Sequence, residues 1–231
     1  MTGRPVDRLA DWLTDRPADR GSRGNDAGYD RTMSDQSFLV RGPRVAVRRI
    51  SFRDREEIAV LDRESAALHH PWVPARDTTE EAFRAYVAKF DQPTHEGFVV
   101  CLRESGAIVG GVNINNIVRG GIQSGALGYV AYASTTGHGY MTEGVRLVVR
   151  YAFTELGLHR LEANIQPGNA SSVRLVERLG FRLEGYSPRF QYVDGAWRDH
   201  ERWAVTAEAT ETANTANTAN TAEHAAGPDP R

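Results

Sequence analysis

Residues 136–142 (TGHGYMT) form a short polar loop with two glycines, placed between a predicted strand and a predicted helix. Such a loop directs several free backbone N–H groups at one point, and the start of the helix adds partial positive charge there. A phosphate or pyrophosphate is the ligand that this arrangement suits. The strand is predicted over residues 127–132. The helix is predicted from apolar residues at three-and-four spacing, typical of a buried face: Val145, Val148, Val149, Ala152 and Phe153.

Three phosphate-binding patterns compete for this loop. A Walker-type loop needs a lysine after its last glycine, and the only lysine of the chain, Lys89, lies far away. A dinucleotide fingerprint needs a third glycine where Thr142 stands and an acidic residue about 20 residues further on, which is not evident. The third pattern, Q/R-x-x-G-x-G/A, aligns with residues 136–141 and departs at Thr136 and Met141. A tight turn without any ligand stays an alternative on the loop alone.

The segment that follows is more specific. From His159 it runs through a strand, the pair Asn169-x-x-Ser172 and an amphipathic helix, and the hairpin after it carries the motif WRDH at residues 197–200. This pattern resembles the ribosomal-protein-alanine N-acetyltransferases (RimJ and RimL type) of the GNAT superfamily. The third loop pattern is the pyrophosphate loop of the same superfamily. The resemblance covers roughly residues 44–206.

The resemblance implies an α/β fold of the GNAT type, with a mixed, mostly antiparallel sheet flanked by helices and splayed central strands. It also implies acetyl-CoA as co-substrate, with its pantetheine arm in the gap between those strands. Backbone groups of Val130, Ala131 and Tyr132 would hold the pantetheine amides, and Asn169 would touch the same arm. The pyrophosphate would lie on the N–H groups of six loop residues: Gly137, His138, Gly139, Tyr140, Met141 and Thr142.

The implied reaction is direct acyl transfer, in which a neutral amine attacks the thioester and CoA thiolate leaves. A strand N–H near Val130 or Ala131 could stabilise the oxyanion. Many members of the superfamily protonate the thiolate with a tyrosine, but Val176 stands at that position here. Ser172, one turn earlier, is then the candidate acid or hydrogen-bond donor. Its alternative role is a helix cap partnered with Asn169.

No general base stands out in the sequence, and the candidates are His70, Glu162 and Asp194. This favours an acceptor that needs little deprotonation. About a quarter of an N-terminal α-amine is neutral at pH 7.4, against about 0.1% of a lysine amine. Trp72 and His70 lie in the linker that borders the acceptor site in the resembled family, so both are candidate substrate contacts. Trp72 as a hydrophobic plug over the core is the alternative.

Three functions follow as hypotheses. The first is a protein N-terminal acetyltransferase acting on alanine or a similar small residue, in line with a ribosomal-protein substrate. The second is a small-amine acetyltransferase acting on a polyamine, antibiotic or metabolite, which a carboxylate-lined pocket would favour. The third is a non-catalytic acetyl-CoA sensor, since the usual tyrosine is missing and Thr136 departs from the pattern.

The elements that position these residues follow the order strand, two helices, three antiparallel strands, helix, strand, helix and two strands. The first strand alternates Val45, Val47 and Ile50. The first helix is predicted over residues 53–68 with Ile58, Leu61 and Ala66 inward. The second helix is predicted to have Asp77 or Thr78 as its cap.

Composition indicates one domain with two tails. Residues 1–36 are predicted to be a disordered extension, residues 37–206 the N-acetyltransferase domain, and residues 207–231 a low-complexity tail. Met33 is an alternative native start. The formal net charge is −2 and residues 36–206 carry about +2, too mild a balance to indicate nucleic-acid binding.

The remaining features set expectations about location and partners. The single cysteine, Cys101, lies in an apolar run and is expected to be a buried structural thiol. No histidine spacing indicates a metal site. No signal peptide and no long apolar span are evident, so a cytoplasmic location is expected. The expected partners are acetyl-CoA and an amine acceptor, with a homodimer as the candidate assembly.

Overall fold

A computed structural model describes residues 38–209 of the chain. The predictions for residues 1–36, for a native start at Met33 and for residues 210–231 of the tail lie outside this range. Regular elements run from Val40 to Thr206.

One sheet with eight strands is present in the described range, in the order β1-β2-β3-β4-β5-β6-β8-β7. The strands are β1 (Val40–Arg41), β2 (Val45–Arg49), β3 (Glu96–Leu102), β4 (Ile108–Val118), β5 (Ser124–Ala131), β6 (Arg160–Ile165), β7 (Arg182–Val193) and β8 (Ala196–Thr206). The helices are α1 (Arg55–Glu64), α2 (Ala66–His69), α3 (Glu80–Ala88), α4 (Tyr140–Thr154) and α5 (Ala170–Arg178). All neighbouring strands are antiparallel except β5 and β6. The predicted mixed sheet and element order are confirmed, with the short strand β1 as an addition.

The central strands β5 and β6 pair over only three residues each. Ser124–Ala126 lie beside Arg160–Glu162 in parallel. Beyond that point β5 pairs only with β4, and β6 pairs only with β8. The two strands therefore diverge from Leu127 and Ala163 onward, which confirms the predicted splay.

Apolar side chains pack against both faces of the sheet. On one face α4 contributes Val145, Val148 and Ala152, all fully buried. On the other face Ile58 of α1 and Phe83 of α3 pack in a second cluster. Central strands covered on both sides read as continuous apolar runs. Cys101 lies in such a run on β3, where burial raises the pKa of its thiol to about 11.

The first predicted helix is broken near its end, which corrects the position of Ala66. The helix ends at Glu64 with Ser65 as its cap, and a separate short helix, α2, begins at Ala66. The break shifts the helical period, so Ala66 is exposed and Ser65 is buried instead. The hydroxyl of Ser65 accepts a hydrogen bond from the N–H of Ala133 (2.9 Å), just after β5. The cap of α3 is likewise one residue later than predicted, at Thr79.

Gly144 lets α4 approach the sheet closely. A Cβ atom at this position would lie 2.5 Å from a methyl carbon of Val100 on β3. Val100 is fully buried and β-branched, so it cannot turn away without moving its neighbours. We expect Gly144→Val to lower the free energy of unfolding by about 1–3 kcal/mol through overpacking, measured by urea unfolding.

The matched control is Gly121→Ala, because a Cβ atom there meets open space. Its free energy of unfolding should stay within about 0.5 kcal/mol of the unmodified protein. Equal stability of both variants would contradict the close packing of α4.

Candidate active site

The far half of β5 borders the gap, and its main-chain groups alternate between two sides. The N–H of Tyr132 donates to a carbonyl of β4 (3.2 Å), so Val130, two residues earlier, also turns its main-chain groups to β4. Tyr129 and Ala131 turn theirs toward the gap. Of the three residues predicted to hold the pantetheine arm, Val130 and Tyr132 therefore turn their main-chain groups to β4, and Ala131 turns its groups to the gap, as Tyr129 does. The carbonyl of Ala131 already accepts a hydrogen bond from Nε2 of His69 (2.8 Å), if that nitrogen is protonated.

A cavity of about 750 Å³ fills the gap and extends to the linker after α2. Several predicted site residues line it: Trp72, Val130, Tyr132, Asn169 and Ser172. The linker is tied to the far wall, because the carbonyl of Trp72 accepts from Nε2 of Gln166 (3.3 Å). The ring of Trp72 also packs on Gly168, where a Cβ atom would lie 3.0 Å from it. Trp72 thus closes the cavity over the β6–α5 loop.

Ser172 stands in the first turn of α5 with its hydroxyl free of the capping role. Asn169 caps the helix, since its Oδ1 accepts from the N–H of Ser172 (3.1 Å). The phenol of Tyr129 donates across the gap to the carbonyl of Ser172 (3.2 Å). Burial raises the pKa of Tyr129 to about 12, so the phenol stays protonated near neutral pH. Val176, at the position of the usual tyrosine, is buried in the core.

The glycine loop lies at the start of α4, next to the end of β5. Gly137 and Gly139 both have positive φ, +82° and +75°, which side chains rarely adopt. The N–H groups of residues 137–142 have no hydrogen-bond acceptor in the part of the chain that the structure describes. Six unpaired N–H groups at a helix N-terminus form a favourable environment for an anion.

The loop accommodates its departure from the family pattern at Met141. The side chain of Met141 turns inward, and its Sδ would lie 2.2 Å from a Cβ atom at Gly110 on β4. Because Gly110 has no side chain, it leaves room on β4 for Met141, which is larger than the glycine or alanine of the family pattern. Thr136 stays outside, with its Oγ1 donating to the carbonyl of Ala133 (3.0 Å).

A second cavity, of about 510 Å³, adjoins the glycine loop at Gly139 and Thr142. Five arginines line it: Arg41, Arg44, Arg146, Arg150 and Arg178. The single carboxylate in its lining, Glu143, is already paired with Arg44 (2.8 Å). The surplus of positive charge beside the loop suits further phosphate groups.

The three predicted bases are engaged elsewhere. Glu162 accepts from Nε of Arg160 and from Nη2 of Arg202, both at 3.0 Å. His70 and Asp194 face each other at 3.4 Å, both exposed, and neither lines the cavity. His70 therefore lies beside the site that it was predicted to line.

His200, which sequence reasoning passed over, lines the cavity and is buried. Its Nδ1 lies 3.0 Å from the carbonyl of Arg198, which can only accept, so Nδ1 carries the proton. Nε2 then has a free lone pair, and it makes no hydrogen bond within residues 38–209. Burial lowers the pKa of His200 and outweighs the hydrogen bond to the carbonyl of Arg198 and the charge of Asp199, which both raise it, so the neutral ring is favoured.

The lining of the larger cavity carries amide and aromatic groups. Among the described residues that line it there is no aspartate or glutamate, and one arginine, Arg76, is present. Oδ1 of Asn164 is buried in this region without a hydrogen-bond partner in the described range. No group of three metal-ligating side chains occurs within residues 38–209. None of the helices there is long and apolar enough to cross a membrane.

Tyr129, Asn164 and His200 are among the cavity residues that sequence reasoning missed. Side chains alternate between the two faces of a strand. The side chains of Tyr129 and Asn164 could therefore have been placed at the gap, once it was known that the two strands diverge. His200 belongs to the motif at residues 197–200, yet the sequence alone does not indicate which of its side chains turns inward.

The fold and site define a CoA-dependent acyltransferase. The splayed strand has main-chain groups that suit pairing with an extended ligand, and the loop beside it has N–H groups that suit a phosphate. Comparison with known proteins gives the family. The model of the acetyltransferase (GNAT) domain matches residues 44–182, and the chain belongs to this family.

The relatives agree with this assignment. The ribosomal protein uS5-alanine N-acetyltransferase of Escherichia coli is 32% identical over 170 residues, covering 71% of this chain and 88% of that protein. The structure of Mycobacterium smegmatis RimJ in complex with CoA-disulfide is 31% identical, with a TM-score of 0.64 over 75% of this chain and 89% of that one. A GNAT-family acetyltransferase from Bacillus anthracis is 27% identical, with a TM-score of 0.62 over 73% and 98%. The chain is therefore an N-acetyltransferase with RimJ-like relatives, and GNAT acetyltransferases use acetyl-CoA.

The buried His200 predicts a pH-dependent stability. The unfolded chain binds a proton at this histidine near pH 6.5, whereas the folded protein binds it only at lower pH. The free energy of unfolding should therefore fall as the pH decreases below about 6.5, and His200→Gln should flatten this slope. Urea unfolding between pH 5 and 8 measures it.

The control is Ser171→Ala, which changes an exposed group that does not titrate and should leave the slope as it is. An unchanged slope in His200→Gln would contradict the buried, neutral state.

Proposed function

We propose that this N-acetyltransferase acetylates the α-amino group of a protein N-terminus, by direct transfer from acetyl-CoA. The observation that carries the proposal is the lining of the larger cavity, which has amide and aromatic groups but no carboxylate among its described residues. A site for a polyamine must balance several positive charges on its substrate, because unpaired charges out of water are costly. The arginine in the lining, Arg76, is already paired with Asp62 at 3.4 Å.

The amide groups suit a peptide. Asn113 and Asn164 both line the cavity, one on β4 and one on β6. Oδ1 of Asn164 is a buried acceptor without a partner within residues 38–209, so a bound N–H group would satisfy it. Trp72, in the linker, would form the wall beside the first residue of the peptide.

Acetyl-CoA fits the groups that the chain presents. The glycine loop would hold the pyrophosphate on its N–H groups, with the adjoining arginines near the remaining phosphate. The gap-facing main-chain groups of Tyr129 and Ala131 would hold the pantetheine amides. When bound, the co-substrate supplies an activated acetyl group to the amine.

Side chains of the cavity would accept and donate the protons of the reaction. An α-amine with a pKa near 8 is partly neutral already, so a weak base is enough. His200, neutral and with Nε2 free, would accept the proton that the amine releases. Ser172, with Tyr129 at its carbonyl, would donate to the leaving sulfur. Because a thiol has a pKa near 8.5, this donor can be modest.

The names of the relatives support a ribosomal acceptor. The Escherichia coli protein acts on the alanine of ribosomal protein uS5. We therefore place an alanine or a similar small residue of a ribosomal protein first among the acceptors.

Acceptor choice is tested by measuring thiol release from acetyl-CoA with three amines. A short peptide beginning with alanine should give turnover, whereas spermidine and an aminoglycoside should give at least about 100-fold lower kcat/KM. The physical reason is the missing carboxylates, since an unpaired buried charge costs several kcal/mol. Turnover with spermidine alone would contradict the proposal, and CoA binding without turnover of any amine would favour the sensor.

Ser172→Ala tests the proton donor. We expect kcat to fall about 10-fold to 100-fold with KM for acetyl-CoA little changed, because the hydroxyl acts on the leaving group. Thiol release with the alanine peptide measures both constants.

The neighbouring Ser171→Ala is the control. Its exposed hydroxyl lies in the same turn, outside the cavity. Equal kcat in both variants would remove Ser172 from the reaction.

A further inference from the structure

Two carbonyl groups of the glycine loop are held by side chains. Nη1 of Arg44 donates to the carbonyl of His138 (2.9 Å). Nδ1 of His138 lies 2.9 Å from the carbonyl of Thr136, so this nitrogen carries the proton and donates. Each of these carbonyls belongs to the peptide group that precedes a glycine.

The geometry of the peptide group links these contacts to the anion site. In a trans peptide the C=O and the following N–H point in opposite directions. When the carbonyls of Thr136 and His138 are fixed, the N–H groups of Gly137 and Gly139 are fixed too. They point away from the side chains that hold the carbonyls.

Glycine peptides need such restraint. Gly137 and Gly139 both have positive φ, and glycine loses more conformational freedom on ordering than any other residue. Without the two side-chain contacts, each peptide plane could rotate and present its carbonyl to an anion. A rotated carbonyl would repel a phosphate where an N–H would bind it.

Arg44 is itself held firmly in place. Glu143, in the first turn of α4, accepts from the backbone N–H of Arg44 (2.8 Å), its Nε (2.8 Å) and the N–H of Val45 (3.1 Å). Burial alone would raise the pKa of Glu143, but these donors outweigh it and hold the pKa below its ordinary value. The carboxylate therefore stays charged near neutral pH. It anchors the guanidinium to the start of the helix.

Aromatic stacking completes the assembly. The ring of His138 lies parallel to the ring of Tyr140, with centroids 5.4 Å apart and planes 9° apart. The guanidinium of Arg44 lies 5.1 Å from the centroid of Tyr140. Arg44 and His138 thus both contact the ring of Tyr140, and together the three side chains restrain the glycine loop.

We propose that Arg44 and His138 are positioning residues, which preset the N–H groups of Gly137 and Gly139 for the diphosphate of acetyl-CoA by holding the two preceding carbonyls. The inference rests on the proposed binding of acetyl-CoA at this loop. Neither side chain touches the reacting atoms. They therefore affect the affinity for the coenzyme and not the rate of acyl transfer.

A different role for Arg44, direct charge contact with a phosphate, makes a different prediction. Lysine keeps the charge but lacks the planar fork that reaches Glu143 and the His138 carbonyl at once. Positioning therefore predicts that Arg44→Lys loses nearly as much affinity as Arg44→Gln. Direct charge contact predicts that Arg44→Lys stays close to the unmodified protein.

The experiment measures calorimetric Kd for CoA, and kcat and KM for acetyl-CoA, in Arg44→Lys, Arg44→Gln and His138→Ala. We expect all three to raise Kd and KM about 10-fold, as for the loss of one well-placed hydrogen bond. The kcat should stay within about 3-fold. A merely structural role would lower the thermal midpoint without this split between KM and kcat.

Arg103→Gln is the matched control. Nη1 of Arg103 donates to the carbonyls of Gly42 and Pro43, in the same turn before Arg44, without touching the glycine loop. It should bind CoA as the unmodified protein does. His138→Ala leaves Arg44 in place, so it tests the second carbonyl independently.

The outcomes distinguish a positioning role from direct charge contact with a phosphate. Affinity kept in Arg44→Lys but lost in Arg44→Gln overturns positioning in favour of charge contact. Unchanged affinity in all variants, with the unmodified protein binding CoA, overturns this inference alone. No CoA binding by the unmodified protein overturns the proposed function, and this inference with it.

Discussion

The parallel ladder between β5 and β6 ends after three residue pairs, and the main-chain groups beyond that point face a gap. Backbone N–H and C=O groups away from bulk water need partners. On β5 one such group, the carbonyl of Ala131, already has His69, and the groups of Tyr129 turn into the cavity. An extended ligand with amide groups can complete the ladder as a further strand would. The glycine loop and the cavity both depend on this divergence, because both lie where β5 has left its neighbour.

The two ends of the gap between β5 and β6 differ in charge. Beside the glycine loop, five arginines and six N–H groups that have no acceptor in the described part of the chain favour anions. Toward the linker after α2, the cavity has amides, aromatic rings and the neutral His200. Under the proposed function, phosphates would bind at one end, and the acceptor would meet a site of low charge at the other. A low-charge site favours an amine that loses its proton easily, since a buried ammonium is costly without a partner.

The same region explains how the loop differs from its family pattern. Met141 occupies a position usually held by a small residue, and Gly110 on β4 yields the space. Both glycines of the loop have positive φ, and two other positions of the pattern have changed. Hydrogen bonds from Arg44 and His138 reach two of its carbonyls, and the one from Arg44 ties the loop to the turn before β2.

The sequence by itself determined the element order, the glycine loop, the family and the places of Ser172, Asn169 and Trp72, because periodicity and motif spacing are local properties. It placed Ala66 inward, since a regular helix was assumed where Ser65 breaks the period. It offered His70, Glu162 and Asp194 as bases, because composition does not reveal which charges pair with each other. Only the tertiary structure decided that His200 turns into the cavity, that Tyr129 bridges to α5 and that Arg44 reaches the loop. These contacts join residues distant in sequence, and strand register and close packing fix them.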